Sequence, residues 1–82
     1  MVKYKEQSPT EMEAVICNRC GKVITVLNGI AMGDYLSVKK TWGYFSEKDE
    51  ECHSFDLCEN CYDELIQGFV IPVQIEDENE LL

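Results

Sequence analysis

The stretch LCENCYDEL, residues 57–65, places Cys58 and Cys61 on either side of two residues, at the start of a segment with helical character. Its apolar side chains recur every four residues, which is the spacing of one face of an α-helix. We therefore predict a helix over residues 59–68, ended by a glycine, whose first turn carries a cysteine pair. The N–H groups and dipole of a helix N-terminus stabilise thiolates, as they stabilise other anions.

A second cysteine pair lies upstream in CNRCGKV, residues 17–23, where Cys17 and Cys20 are followed directly by Gly21. Glycine adopts the left-handed backbone bend at low cost, and in that bend backbone N–H groups point at the cysteine sulfurs. This pattern is typical of a zinc knuckle. The second pair has Tyr62 where a knuckle has glycine, so it is predicted to belong to the helix.

Together the two pairs predict a single metal site. Two residues between ligands let one tight turn direct both sulfurs at one ion, and two such turns complete a tetrahedron with Zn–S distances of about 2.3 Å. Iron also accepts four thiolates, so iron is the alternative to zinc at this site. The predicted ligands of one Zn²⁺ are Cys17, Cys20, Cys58 and Cys61.

The order of knuckle, hairpin and ligand-bearing helix over residues 17–68 resembles the treble-clef zinc finger. The resemblance implies a small α+β domain of antiparallel β-hairpins plus one helix, held together by zinc. Residues 21–57 between the two pairs make a gap longer than in compact members, with room for an extra hairpin. Rubredoxin and the zinc ribbon are similar alternatives, but their second knuckle has glycine at the position of Tyr62. The resemblance extends to no named functional family.

The chain divides by composition into three parts. Residues 1–13 are predicted to be a loose polar arm, residues 14–75 the zinc-binding domain, and residues 76–82 a disordered acidic tail. Within the domain, β-branched runs and turn residues predict the secondary structure. The predicted strands cover residues 14–16, 23–27, 35–45, 52–57 and 69–75, with turns at 28–29 and 33–34 and a charged loop at 46–51.

Size and charge limit the possible functions. A chain of 82 residues buries a small core and often needs disulfides, a metal or a partner subunit for stability. Five cysteines in so short a chain point to this kind of stabilisation. The formal net charge is −9, and four thiolates with one Zn²⁺ would bring it to about −11. Such a surface repels phosphate backbones and anionic lipid, and it favours a basic protein partner.

The first residues show no apolar signal region, and no apolar run approaches the roughly 18 residues that span a bilayer. We therefore expect a cytoplasmic protein without membrane contact, in a compartment that keeps thiols reduced.

Two further residues are candidates for accessory chemistry. Cys52 and His53 could replace a ligand, and Cys52 could be a redox thiol; the simpler interpretation is that both are ordinary strand residues. Four better-spaced cysteines already fill a tetrahedron. A saturated site leaves no position for water or substrate, so we predict that the protein is not an enzyme.

The predicted function is therefore a protein-interaction or regulatory module. Residues 69–75, FVIPVQI, are expected to pack back on the sheet, with homodimerisation through them as the alternative. Nucleic-acid binding is the second hypothesis, and a redox sensor using Cys52 the third. Nucleic-acid binding needs the basic residues on one face, namely Lys3, Lys5, Arg19, Lys22, Lys39 and Lys40. A domain this small is expected to bury its aromatic side chains, Trp42, Tyr44, Phe45 and Phe55.

Overall fold

The computed structural model describes residues 1–7 and 11–77, and in them the chain forms two antiparallel sheets and one helix. The first sheet has the strand order β1-β2-β3-β4, and the second pairs β5 with β6. The expected α+β architecture of antiparallel hairpins with one helix is confirmed for this part of the chain. The elements are β1 Val2–Tyr4, β2 Met12–Ile16, β3 Val23–Leu27, β4 Ile30–Ala31, β5 Tyr35–Thr41, β6 Cys52–Cys58 and α1 Glu59–Gln67.

The first sheet follows from local sequence rules. β3 alternates between buried and exposed residues, and Ile24 lies opposite Val15 of β2 on the core face. Asn28 and Gly29 both have positive φ, at 52° and 78°, which is the geometry of a two-residue hairpin turn. The strand and the turn predicted here are both confirmed.

The second sheet leads directly into the helix. β6 pairs with β5 along its whole length, and its last residue, Cys58, has an extended backbone and caps the N-terminus of α1. The helix ends at Gln67, one residue before the end predicted at Gly68. Gly68 has φ −86°, so it does not adopt the left-handed conformation. In the part of the chain that the structure describes, no helix has the length and apolarity needed to cross a membrane.

The core lies where the two sheets and the start of α1 meet, and it is small. The buried apolar residues are Ala14, Val15, Cys17, Ile24, Val26, Leu57, Cys58 and Cys61. Three of these eight are cysteines, so thiols occupy much of the space that aliphatic side chains fill in most domains. The packing of the domain therefore depends on how its sulfur atoms are satisfied.

The predicted loose arm at residues 1–13 is wrong for residues 2–4 and 12–13, which form strands; residues 8–10 lie outside the described residues. β1 pairs with β2, Val2 lies opposite Val15 and packs against the core, and the predicted domain boundary at residue 14 falls inside β2. The sequence gives little sign of β1, because this strand has only three residues and two of them are exposed. Ion pairs across the hairpin, such as Lys3 to Glu13 at 3.7 Å, account for part of its polarity.

The hairpin of the second sheet is shorter than predicted. β5 ends at Thr41, because the chain turns at Trp42, whose N–H donates to the carbonyl of Glu51 at 2.9 Å. As a result Tyr44 and Phe45 lie in the turn and are 83% and 99% exposed, which contradicts their predicted burial. Trp42 and Phe55 are half-buried.

Residues 69–75 do not form the predicted strand, and they do not pack back on the sheet. Val70 is 98% exposed, and Ile71 and Ile75 are each 81% exposed. None of the described strands pairs with residues 69–75. Of the predicted acidic tail at 76–82, residues 78–82 lie outside the described residues.

A polar cluster joins the chain start to both sheets. Asp56 on β6 is the one buried charged residue of the described chain, and its Oδ2 lies 2.5 Å from the Met1 ammonium. Asn18 accepts hydrogen bonds from this ammonium at 2.6 Å and from the Asp56 N–H at 3.0 Å. Burial raises the pKa of Asp56, but hydrogen bonds from the ammonium and from Ser37 outweigh it and lower the pKa.

We predict that Asp56→Asn destabilises the protein, because it removes the buried charge that the ammonium and its neighbours are arranged around. The free energy of unfolding in urea should fall by about 1–3 kcal/mol. Asp49→Asn, in the exposed turn between β5 and β6, is the matched control and should change it by less than about 0.5 kcal/mol. Equal effects of the two substitutions would contradict a stabilising role for Asp56.

Candidate metal centre

The first half of the site is the tight turn between β2 and β3. Cys17 donates its backbone N–H to the Lys22 carbonyl and accepts the Gly21 N–H at its own carbonyl, each at 2.9 Å. Gly21 has φ +81°, so the left-handed bend expected after this cysteine pair is present. A side chain at that φ would be strained even though space is open around it. The turn directs Cys17 and Cys20 toward α1.

The second half is the junction of β6 and α1. Cys58 is the last residue of the strand, and Cys61 lies in the first turn of the helix. An extended residue followed by a helical turn brings both side chains to the same side of the junction. Each of the two cysteines is only 2% exposed. The absence of a glycine after this pair is consistent with the helix that the sequence predicted.

The structure brings together the four cysteines that the spacing singled out. All four Sγ atoms of Cys17, Cys20, Cys58 and Cys61 lie within 4.8 Å of one another. The Cys20 and Cys58 sulfurs are 3.7 Å apart, and a tetrahedral zinc with Zn–S bonds of about 2.3 Å places its sulfurs about 3.8 Å apart. The donor set thus fits one four-coordinate metal ion. Cys20 is the exposed member, so the cluster faces solvent on its side.

The electrostatics of the cluster also favour a cation. Burial raises the pKa of Cys17, but hydrogen bonds donated by the backbone N–H groups of Cys58 and Cys20 outweigh it and lower the pKa to about 6. The Arg19 guanidinium lowers the pKa of Cys61, whereas burial and the three neighbouring thiols raise it to about 12. Cys17 therefore loses its proton readily and Cys61 does not. A divalent cation at the centre of the cluster would stabilise all four thiolates and remove this difference.

Arg19 links the two halves of the site, and sequence reasoning missed this role. Its Nη1 donates to the Cys61 sulfur at 3.4 Å and lies 3.3 Å from Oε2 of Glu64 on α1. The hydrogen bond to Cys61 and the charge of Glu64 raise the pKa of Arg19. The sequence did contain a signal for this role. Arg19 lies between Cys17 and Cys20, and Glu64 lies three residues after Cys61.

Cys52 and His53 lie away from the cluster, at the opposite end of β6. Six steps of about 3.3 Å separate Cys52 from Cys58 along the strand, or roughly 20 Å. Both residues are exposed, and His53 Nε2 instead lies 2.9 Å from a carboxylate oxygen of Glu51. Their position does not support the accessory-ligand role that the sequence left open.

No protein-family model matches the chain, and neither a curated protein nor a solved structure matches it significantly. The site is therefore interpreted from its own geometry and chemistry.

Cys17→Ser is predicted to abolish stable metal binding. Structural zinc sites contribute about 10–16 kcal/mol, so the loss of one of four ligands should weaken affinity about a hundredfold or more. Metal content of the purified protein, measured by mass spectrometry, should fall well below one ion per chain. Cys52→Ser removes an exposed cysteine outside the cluster and should leave the metal content unchanged. If Cys52→Ser loses as much metal as Cys17→Ser, the proposed ligand set is wrong.

Arg19→Ala should weaken metal binding without removing a ligand. Loss of a hydrogen bond to a ligand commonly costs 10–100-fold in affinity, and for the half-exposed Arg19 we expect about tenfold. Competition with a chromogenic chelator measures the change. Lys22→Ala removes the same charge from the same turn and serves as the control. An equal loss in both variants would indicate a general effect of charge and would exclude a specific contact with Cys61.

Proposed function

We propose that the protein is a structural zinc domain, similar to a treble clef, that acts as a protein-interaction or regulatory module without catalytic activity. The observation that carries the proposal is the clustering of four sulfurs within 4.8 Å at the meeting point of both sheets and the helix. A metal there contributes folding free energy that a core of eight residues cannot supply alone. A reducing compartment such as the cytoplasm is part of the proposal, because it keeps the thiols free for metal.

Zinc is the metal that we propose. The arrangement that favours it over a rubredoxin-type iron site is the second pair, which starts a helix and does not form a second glycine-containing knuckle. Zinc has no geometric preference from d-electrons and accepts the tetrahedron that the sulfurs outline.

Coordination by four thiolates supports a structural role over a catalytic one. Catalytic zinc keeps a position for water or substrate, and four protein ligands occupy every position of a tetrahedral ion. Three of the four cysteines are also buried, so a substrate would reach the ion only past Cys20. The zinc would then stabilise the fold of the protein and take no direct part in a reaction.

Charge supports a protein partner over nucleic acid. The net charge is −9, and several basic residues that nucleic-acid binding would require are paired with acids. Lys5 lies 3.4 Å from Glu11, and Arg19 is held by Glu64 at 3.3 Å. A basic surface on a protein partner is the complement that this field favours.

The tip of the β5–β6 hairpin supplies a surface for such contacts. Tyr44 and Phe45 pack edge to face, with ring centroids 5.3 Å apart, and both are largely exposed. The ammonium of Lys48 lies 4.6 Å from the ring centroid of Trp42, which fixes the base of the turn. Exposed aromatic residues on a supported turn are typical of protein-binding sites.

The proposal predicts the outcome of purifying tagged protein from its host and analysing one eluate for metal, protein and nucleic acid. We expect one zinc per chain and a co-eluting protein that nuclease treatment does not release, with binding that weakens as salt rises. Protein stripped by a strong chelator should lose its circular-dichroism signal and its partner together. A stripped protein with unchanged fold, or a partner released by nuclease, would contradict the proposal.

A further inference from the structure

The C-terminal segment, residues 69–75, leaves the helix as a largely exposed chain in which Val73 alone is half-buried. The Phe69 N–H donates to the Ile66 carbonyl at 3.1 Å, and beyond it the backbone makes no hydrogen bond to any other described residue. Val70, Ile71 and Ile75 are between 81% and 98% exposed. A short apolar run with unpaired backbone groups is suited to pairing with a strand from another molecule.

The sequence of the C-terminal segment restricts that pairing to one edge. In an extended strand the odd-numbered residues Phe, Ile, Val and Ile point to one face, and their N–H and C=O groups point to one edge. Pro72 lacks an N–H, and as an even-numbered residue it faces the opposite edge. The segment can therefore complete a hydrogen-bonded ladder on its odd edge, while proline blocks the other edge.

The pattern is also symmetric about Pro72. In an antiparallel pair of two identical segments, Ile71 lies opposite Val73 of the other copy, and Phe69 lies opposite Ile75. These become the hydrogen-bonded pairs, and the two prolines meet at a position that needs no N–H. A two-fold interface requires such self-complementarity. If one residue contacts a second residue of the other copy, that second residue must contact the first residue of the other copy in return.

We propose that two copies of this protein associate through an antiparallel two-stranded ribbon formed by residues 69–75, with the two-fold axis at Pro72. The inference deepens the proposed function by naming a second copy as one partner of the module. It rests on that function only in assuming a folded domain, because the ribbon starts from the end of α1.

The dimer joins the apolar side chains of both copies. The odd-numbered side chains form one continuous apolar face across the ribbon. Leu65 on α1, 45% exposed, lies four residues before Phe69.

Electrostatic repulsion opposes this dimer, so its dependence on salt should differ from that of binding to a basic partner. In the antiparallel ribbon, Glu76 and Asp77 of one copy approach the end of the partner copy's helix, whose last turn contains no basic residue. Salt screens that repulsion, so self-association should strengthen as ionic strength rises. Binding of this acidic chain to a basic protein would weaken over the same range.

Sedimentation and light scattering of the zinc-loaded full chain test the proposal. A monomer has a mass of 9.4 kDa and a dimer twice that, and at about 500 µM chain we expect the dimer. Raising NaCl from about 50 to about 500 mM should lower the dissociation constant. Val73→Pro removes an N–H from the pairing edge in each copy and should raise the dissociation constant about thirtyfold.

Gln74→Pro is the matched control, because its N–H faces the edge that Pro72 already blocks, and it should leave the dimer intact. A monomeric wild-type chain, a dimer indifferent to Val73→Pro, or equal effects of the two prolines would each overturn the proposal. Zinc content is measured on every sample. A zinc-free dimer would refute the metal centre alone, and a zinc-bound monomer would refute the ribbon alone.

Discussion

The structure depends on keeping four sulfur atoms within 4.8 Å of one another. Thiols packed this closely cannot all ionise, because each thiolate opposes the next, and three of them lie in the core. A divalent cation bound there would reverse the sign of that interaction and link distant parts of the chain. The small number of buried aliphatic residues makes sense in this light, since the cluster replaces part of an ordinary core.

Polar contacts on two sides of the cluster hold its halves in register. On one side Asn18 of the knuckle exchanges hydrogen bonds with Asp56 on β6, at 2.8 and 3.0 Å. On the other, Arg19 spans from the knuckle to Glu64 on α1. Asn18 and Arg19 lie between the two cysteines of the knuckle, and Asp56 and Glu64 lie on either side of the second cysteine pair. These contacts therefore hold the turn and the strand–helix junction in one orientation. Contacts of this kind orient the sulfurs toward one another without a metal ion.

The regions outside this centre have a different character. The hairpin tip and the C-terminal segment expose large apolar side chains, Phe45 and Val70 almost completely. In the proposed function, a bound ion would stabilise the fold and leave these apolar surfaces available for contacts with other chains. A net charge of −9 repels phosphate groups and attracts basic surfaces.

The four clustered cysteines, the hairpin turn at 28–29 and the helix that begins after Cys58 could be predicted from the sequence, because ligand spacing, positive φ and helical periodicity are local constraints. That residues 2–4 join a sheet and residues 69–75 do not is a result of long-range packing, which local patterns do not encode. An apolar, β-rich sequence permits a strand, but whether the strand pairs depends on which segments the fold places beside it. The contact of Arg19 with Cys61 is likewise tertiary, since it forms only when distant segments meet around the sulfurs.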